Sequence, residues 1–448
     1  MSRTLIRFQE DEEGKVSFHL EEPRGVANGG RLVKLKSLPS DTEFLMPLPS
    51  PDVRKAGMRL RDDLLSHEAV KSVLGAWLDM ADRPLQSLHL QIDTSPAEAL
   101  PWESLVDTQG DFLALDANAP IARVLPPDQV QGAVKREVVF TPPLRITCVL
   151  GAWWDDGGAR EQALEWGSLE AAIRSPEAQN LGVSVSVFGC DPDLKAAIET
   201  ANFPPNVSVT WAPIVGNALA LLKRIRDSRP HLLHLFAHGS GEEVPLLRIS
   251  TVADVEAGKG GSIELNARDF RQEGDPNESV WAIALNACNS ASMSSDAKNL
   301  ANRLVRWGFP AVIGMREPVT TVEAREMSQH FYAAAFETLA SLPISARHEV
   351  EWARFLQRVR VHIAGGSAAA CNTKRWLVPL LYARTEPFTI IRGQGALSDE
   401  TRRRLQGEVE QLKKERDAAM QHPLSDLLKA QMRAEFDAQI QHLEAQLV

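Results

Sequence analysis

His231-Leu-Leu-His-Leu-Phe-Ala-His-Gly239 and Val280-Trp-Ala-Ile-Ala-Leu-Asn-Ala-Cys-Asn-Ser-Ala-Ser292 decide the reading of this 448-residue chain. Each is an apolar run of strand length with turn chemistry just beyond it, the pattern of a buried strand. Each delivers a reactive side chain to the end of its run, His238 in the first and Cys288 in the second. In an open parallel sheet, ligands and chemistry gather outside the carboxyl ends of the strands. A histidine and a cysteine at two such ends face one cleft, where the first can act as general base for the second as nucleophile.

The sequence around these two stretches alternates strand and helix patterns, as a mostly parallel sheet with helices on its faces requires. Strands are predicted at Arg145–Leu150, Val183–Phe188, Val207–Trp211 and Pro310–Gly314. Helices are predicted over Gln162–Ile173, Asp193–Glu199, Ala218–Ile225, Ser295–Trp307, Val322–Leu339 and Ala346–Val361. Trp376–Tyr382 reads as a late strand, and its Pro379 suggests an edge position or a bulge.

Toward the N-terminus, Thr4–Glu22 reads as a strand pair around the acidic Glu10–Gly14 turn, followed by a Pro-rich linker at Leu45–Pro51. Asp52–Met80 has helical spacing, Ser87–Ile92 alternates like a half-buried strand, and Ile121–Leu125 is a short strand. Beyond Ala396 the composition turns charged, with an apolar seam from Leu405 to Leu447 interrupted at Pro423, the pattern of a helical hairpin or bent helix. The boundaries this suggests are an N-terminal α/β unit over 1–137, a catalytic α/β unit over 138–392 and a helical tail over 393–448.

A net charge of −10 argues against a broad nucleic-acid surface, which needs clustered Lys and Arg. No apolar run approaches ~18 residues, so neither a membrane span nor a signal peptide is expected. Four scattered cysteines without a CxxC pair fit a reducing, cytoplasmic setting and make a zinc site unexpected. His234 and His238 share one strand face, but no carboxylate or cysteine neighbour completes a ligand set, so no metal or cofactor is expected. His234 reads as a core histidine with a satisfied ring nitrogen.

Cys148, inside an apolar strand, reads as packing, and Cys190 and Cys371 as bystanders. Cys288 differs because Asn289, Ser290, Ala291 and Ser292 carry it out of its strand into a polar turn heading a helix. A helix N-terminus there would favour the thiolate. Gly239-Ser-Gly241 after His238 lets backbone approach a substrate closely. The interval from His238 to Cys288 is close to the ~50 residues that separate the caspase histidine from its cysteine motif.

Four ordered motifs then resemble a known family: Leu100-Pro-Trp-Glu-Ser-Leu105, His234-Leu-Phe-Ala-His-Gly239, Leu285-Asn-Ala-Cys-Asn-Ser-Ala291 and Gly308-Phe-Pro-Ala-Val-Ile-Gly-Met315. Over about 52–384 the chain is similar to the CHAT family of caspase-like cysteine peptidases, related to separases and caspases. The resemblance implies an α/β fold in which a pseudo-caspase half precedes a caspase-like half with a mostly parallel sheet. It implies His238 as general base and Cys288 as nucleophile, with the backbone N–H groups of Gly239 and Cys288 as an oxyanion hole. Relatives carry an acidic residue a few positions past the Gly-Met pair, where it helps select a basic residue before the cut. Thr321 stands there in this chain, with Glu317 and Glu323 nearby as substitutes. The resemblance also implies regulated proteolysis, as in bacterial defence, of a protein or peptide substrate under a sensor or regulatory partner. The competing reading is a catalytically inactive scaffold, which the reactivity of Cys288 toward an alkylating probe would separate from an enzyme.

Overall fold

The computed structural model describes residues 2–10, 16–22, 25–27, 50–66, 68, 71–80, 82–92, 98, 100–131, 137–152, 158–240, 245–272, 279–287, 299–317, 320–366, 374–393 and 399–421, with 429, 433, 436, 437 and 440 beyond them. The Pro-rich stretch before Ser50 therefore lies outside the described residues, as do 288–298.

In chain order the strands are β1 (Ser2–Glu10), β2 (Val16–Glu22), β3 (Gly25–Ala27), β4 (Gln86–Ile92), β5 (Ile121–Leu125) and β6 (Glu137–Phe140). Next come β7 (Leu144–Leu150), β8 (Val183–Gly189), β9 (Val207–Pro213), β10 (Leu232–Phe236), β11 (His238–Ser240) and β12 (Leu246–Ile249). The last six are β13 (Ile263–Asn266), β14 (Ala282–Asn286), β15 (Ala311–Met315), β16 (Arg347–Val350), β17 (Pro379–Arg384) and β18 (Phe388–Arg392). The helices that position the site are α1 (Ser50–Leu65), α2 (Gly158–Ile173), α3 (Ala218–Asp227), α4 (Leu300–Arg306), α5 (Thr321–Ala340), α6 (Trp352–Ile363) and α7 (Asp399–Gln421).

Among the described residues one twelve-stranded sheet has the order β3-β2-β1-β4-β5-β17-β15-β14-β10-β7-β8-β9. Strands β15, β14, β10, β7, β8 and β9 are mutually parallel, and so are β1, β4, β5 and β17. The two blocks run in opposite directions and meet at the antiparallel β15–β17 pair. The sheet is thus continuous across position 137, with a strand from late in the chain bridging early and middle segments.

Apolar layers cover both faces of the β7–β15 block. Trp166 and Leu169 of α2, Phe331 and Phe336 of α5, and Phe355 of α6 fill one face. Leu222 of α3 and Leu300 and Leu304 of α4 fill the other. Burial on both faces is why these strands read as unbroken apolar runs rather than alternating ones.

Several sequence expectations change once packing is known. β17 is interior, flanked by β5 and β15, and Pro379 is tolerated because it is the strand's first residue. The predicted helix at Ala346–Val361 begins only at Trp352, since Arg347–Val350 pairs with β18 in a separate three-stranded sheet. The helical stretch at Asp52–Met80 is broken after Leu65, with a π turn at Lys71–Gly75. β4 is buried on both faces, Ser87, His89 and Gln91 included. His89 is accepted there because Glu351, at the head of α6, lies 3.3 Å from its Nε2.

In the tail, α7 is followed by helical residues 429, 433, 436, 437 and 440. Arg416 donates to Asp437 at 2.8 Å, and Val409 and Ile440 of the predicted seam are both buried. The two segments therefore lie against each other, as a hairpin requires.

Candidate active site

Parallel pairing of β10 with β14 sets Phe236 opposite Asn286. His238 lies two residues past Phe236, and Cys288 two residues past Asn286 in the sequence. Both strands release their chains at the same end of the sheet, the end where parallel α/β sheets hold their ligands. Cys288 itself is outside the described residues, as is Cys371. After Ala237 the chain leaves the main sheet, and His238 opens β11, which pairs antiparallel with β12, His238 opposite Arg248 and Gly239 opposite Leu247. His238 is half-buried at this junction. Gly239 and Ser240, expected in a Gly-rich loop, are instead strand residues of a short second sheet, β11-β12-β13, which fixes the backbone at His238 and Gly239.

Below these strand ends lies a buried polar cluster on the α2 and α5 face. Asn286 donates to Glu165 Oε1 at 2.9 Å, to the Ala324 carbonyl at 3.0 Å and to Ser328 Oγ at 3.1 Å. Ser328 donates to the same Glu165 oxygen at 2.5 Å, and His234 Nε2 lies 3.0 Å from it. Burial pushes the Glu165 carboxyl up, but the neighbouring His234, Ser328 and Asn286 outweigh it and hold the group below its usual range. His234 is accordingly a core residue with Glu165 as its partner. Sequence reasoning did not single out Glu165, although a carboxylate in register with Leu169 and Ile173 on the apolar side of α2 was a signal.

On the opposite face, the early Leu100–Leu105 motif meets the segment that follows the cysteine. Arg123 of β5 holds Glu103 through two 2.9 Å bonds and Glu98 through a 3.1 Å bond, all buried. Tyr382, paired with Arg123 across β17 and β5, donates its hydroxyl to Glu98 and accepts from Asn299 Nδ2 at 2.8 Å. Asn299 caps α4 by accepting from the Asn302 N–H at 2.8 Å. Burial raises the Glu103 carboxyl, yet the Arg123 charge overrides it and holds it at about 2.

Glu317 and Glu323 both lie just past the carboxyl end of β15, and each is engaged. Glu317 pairs with Lys374 at 2.8 Å, while Glu323 closes the capping box of α5 with Thr320 and pairs with Arg375 at 3.1 Å. Cys148 and Cys190 are buried, and burial pushes the Cys148 thiol well up and that of Cys190 to about 11, so both stay protonated. Among the described residues, no group of three or more His, Cys, Asp or Glu side chains is placed to hold a metal ion. No helix among them is long and apolar enough to cross a membrane.

The CHAT domain matches residues 57–346. The chain belongs to the CHAT family. No curated protein matches it. Among solved structures this CHAT protein is similar to a chain of the Saccharomyces cerevisiae separase–securin complex, with 13% identity and a TM-score of 0.37 over 75% of this chain and 17% of that one. It therefore spans only a small part of that relative. It is also similar to the Arg-specific cysteine proteinase gingipain R, with 10% identity and a TM-score of 0.36 over 75% of this chain and 74% of that one. The complex of Porphyromonas gingivalis RgpB pro- and mature domains gives 10% identity and a TM-score of 0.36, covering 73% and 72%.

Proposed function

We propose that this CHAT protein is a cysteine endopeptidase whose nucleophile is Cys288 and whose general base is His238. The observation that carries this reading is the Phe236–Asn286 pairing, since each residue of the dyad follows a paired position by two residues. Adjacent parallel strands run about 4.8 Å apart, so two chains that leave paired positions at the same end start out side by side. His238 takes the thiol proton, and the thiolate adds to the peptide carbonyl. The tetrahedral oxyanion is met by the N–H groups of Gly239 and Cys288. Collapse expels the amine, which receives the proton from His238, and leaves a thioester. Water, deprotonated by His238, hydrolyses the thioester and returns the free thiol.

A basic residue ahead of the cut is the preferred substrate, read by Glu317 in exchange for Lys374, with Glu323 behind it. The polypeptide substrate and a sensor or regulatory partner complete the proposal, in a cytoplasmic role such as bacterial defence. No cofactor takes part in this chemistry.

The test is cleavage of a fluorogenic peptide library by the wild type, Cys288→Ala, His238→Ala and the double variant. Each single change should remove activity, and the double should be no worse, because the pair acts as a unit. Full activity in either single variant would refute the dyad.

A further inference from the structure

The Leu100–Leu105 motif has no part in the proposed chemistry, yet its Glu103 is among the most buried carboxylates of the chain. Its neighbourhood explains why. Arg123 stands between Glu98 and Glu103 and also donates to the carbonyls of Glu98 and Leu100, at 2.5 and 2.8 Å. One guanidinium thus ties the early segment into a single rigid unit, using its fixed fork of donors. The Glu98 oxygen that accepts from Arg123, Oε1, also accepts from the Tyr382 hydroxyl. Tyr382 is one of two tyrosines in the chain, and its hydroxyl both donates to Glu98 and accepts from Asn299, so it is saturated while fully buried. Asn299 is the first described residue after 288–298, and its side-chain oxygen starts α4.

From this arrangement, and resting on the assignment of Cys288 as nucleophile, we infer that Glu98, Tyr382 and Asn299 form a positioning relay by which the N-terminal segment sets the geometry of the thiol site. The cysteine-bearing segment has two ends. Asn286 holds the near end through Glu165, on the α2 and α5 face. Asn299 holds the far end through Tyr382 and Glu98, on the opposite face. The far anchor runs through Tyr382 of β17 to Glu98, which lies 284 positions before that tyrosine. A nucleophile displaced by about 1 Å loses on the order of a hundredfold in rate, so an anchor need shift little to be felt in catalysis. Each bond in the relay is desolvated, so a missing donor is not replaced by water at no cost. None of the three residues touches substrate in this scheme; each acts through the next.

The experiment compares wild type, Tyr382→Phe and Asn299→Ser in the full-length chain. Tyr382→Phe keeps the ring packing and removes the hydroxyl. Asn299→Ser keeps an N-cap for α4 and removes the amide donor, so it breaks the relay from the other side. Three readouts are taken: kcat and KM on a cleaved peptide, thermal midpoint, and the pH dependence of iodoacetamide modification of Cys288 followed by mass spectrometry. Both variants should lose roughly tenfold or more in kcat with little change in KM. The midpoint of Cys288 alkylation should move up toward that of an ordinary thiol, because His238 and the cysteine no longer meet correctly. A lowered thermal midpoint with kcat and the alkylation midpoint unchanged would show a purely structural contact and overturn the relay. The alkylation arm needs no substrate. Activity that survives Cys288→Ala removes the nucleophile assignment, and the alkylation shift still decides the relay.

Discussion

Asn286 Nδ2 lies 2.9 Å from Glu165 Oε1, and both side chains are buried beneath the end of β14. An amide on the last residue of a strand is thereby bound to a carboxylate on a helix 121 positions earlier. The bond is charge-assisted and shielded from water, which places it among the stronger kinds. Asn286→Ala removes it together with the bonds to Ala324 and Ser328. A loss of about 2–4 kcal/mol is expected, combining a small cavity with an under-satisfied buried carboxylate. Urea unfolding measures it, and an unchanged midpoint would take Asn286 out of the network.

Glu351 gives the chain a defined acid limit. Burial pushes its carboxyl up, but His89 and Arg3 hold it at about 2 against an ordinary 4.5. Because the folded value is depressed, the stabilisation is complete above about 4.5 and disappears as the pH falls toward 2. Glu351→Gln should cost roughly 1–3 kcal/mol at neutral pH and flatten the melting curve across that window. Thermal melts from pH 7 downward check this; identical slopes for variant and wild type would contradict it.

Gly57 marks where α1 meets the Leu100–Leu105 motif. A Cβ there would sit 1.9 Å from the Ser104 carbonyl oxygen and 3.2 Å from Val106 Cγ1. Alanine normally strengthens a helix interior by about 1 kcal/mol. Here the clash with backbone should reverse the sign, giving a net loss of about 1–3 kcal/mol by differential scanning calorimetry. A stabilised Gly57→Ala protein would mean that α1 moves freely against the motif.

Lys374 controls the charge that Glu317 presents. In Lys374→Ala the carboxylate is released at the carboxyl end of β15, and the preference for Arg or Lys before the cut should rise several-fold. Glu317→Gln in the same background should erase the rise. A cleavage profile that stays acidic or aliphatic in all of these proteins would sink the assignment of Glu317.

The tail offers a separable test. Val409 and Ile440 are buried and Arg416 pairs with Asp437, so the hairpin is a packed element and not a loose extension. Removing residues from Ala396 onward should change the cleavage rate or the binding of a protein partner while the remaining chain stays folded. Unchanged rates and binding in a stable truncated protein would leave the tail a structural part only.

Local pattern by itself determined the strands of the β7–β15 block and most of the helices between them. The helix expected from Ser295, however, begins only at Leu300 behind the extended N-cap Asn299, so its N-terminus is not at the cysteine turn. A strand buried on both faces must be apolar along its whole length, so β7, β10 and β14 announce themselves without knowledge of their neighbours. It also determined that His238 and Cys288 follow two such strands. Tertiary structure alone decided that β17 inserts between β5 and β15, because strand order depends on pairings between distant segments, and Pro379 misled toward an edge. It alone decided that Arg347–Val350 is a strand, since that choice rests on pairing with β18 rather than on helical periodicity. The polar anchors Glu165, Glu98, Tyr382 and Asn299 were equally hidden. A buried polar group is stable only when a matching donor or acceptor is delivered to it. Here the partners come from 121, 83 and 284 positions away, separations at which no local pattern reports on contact.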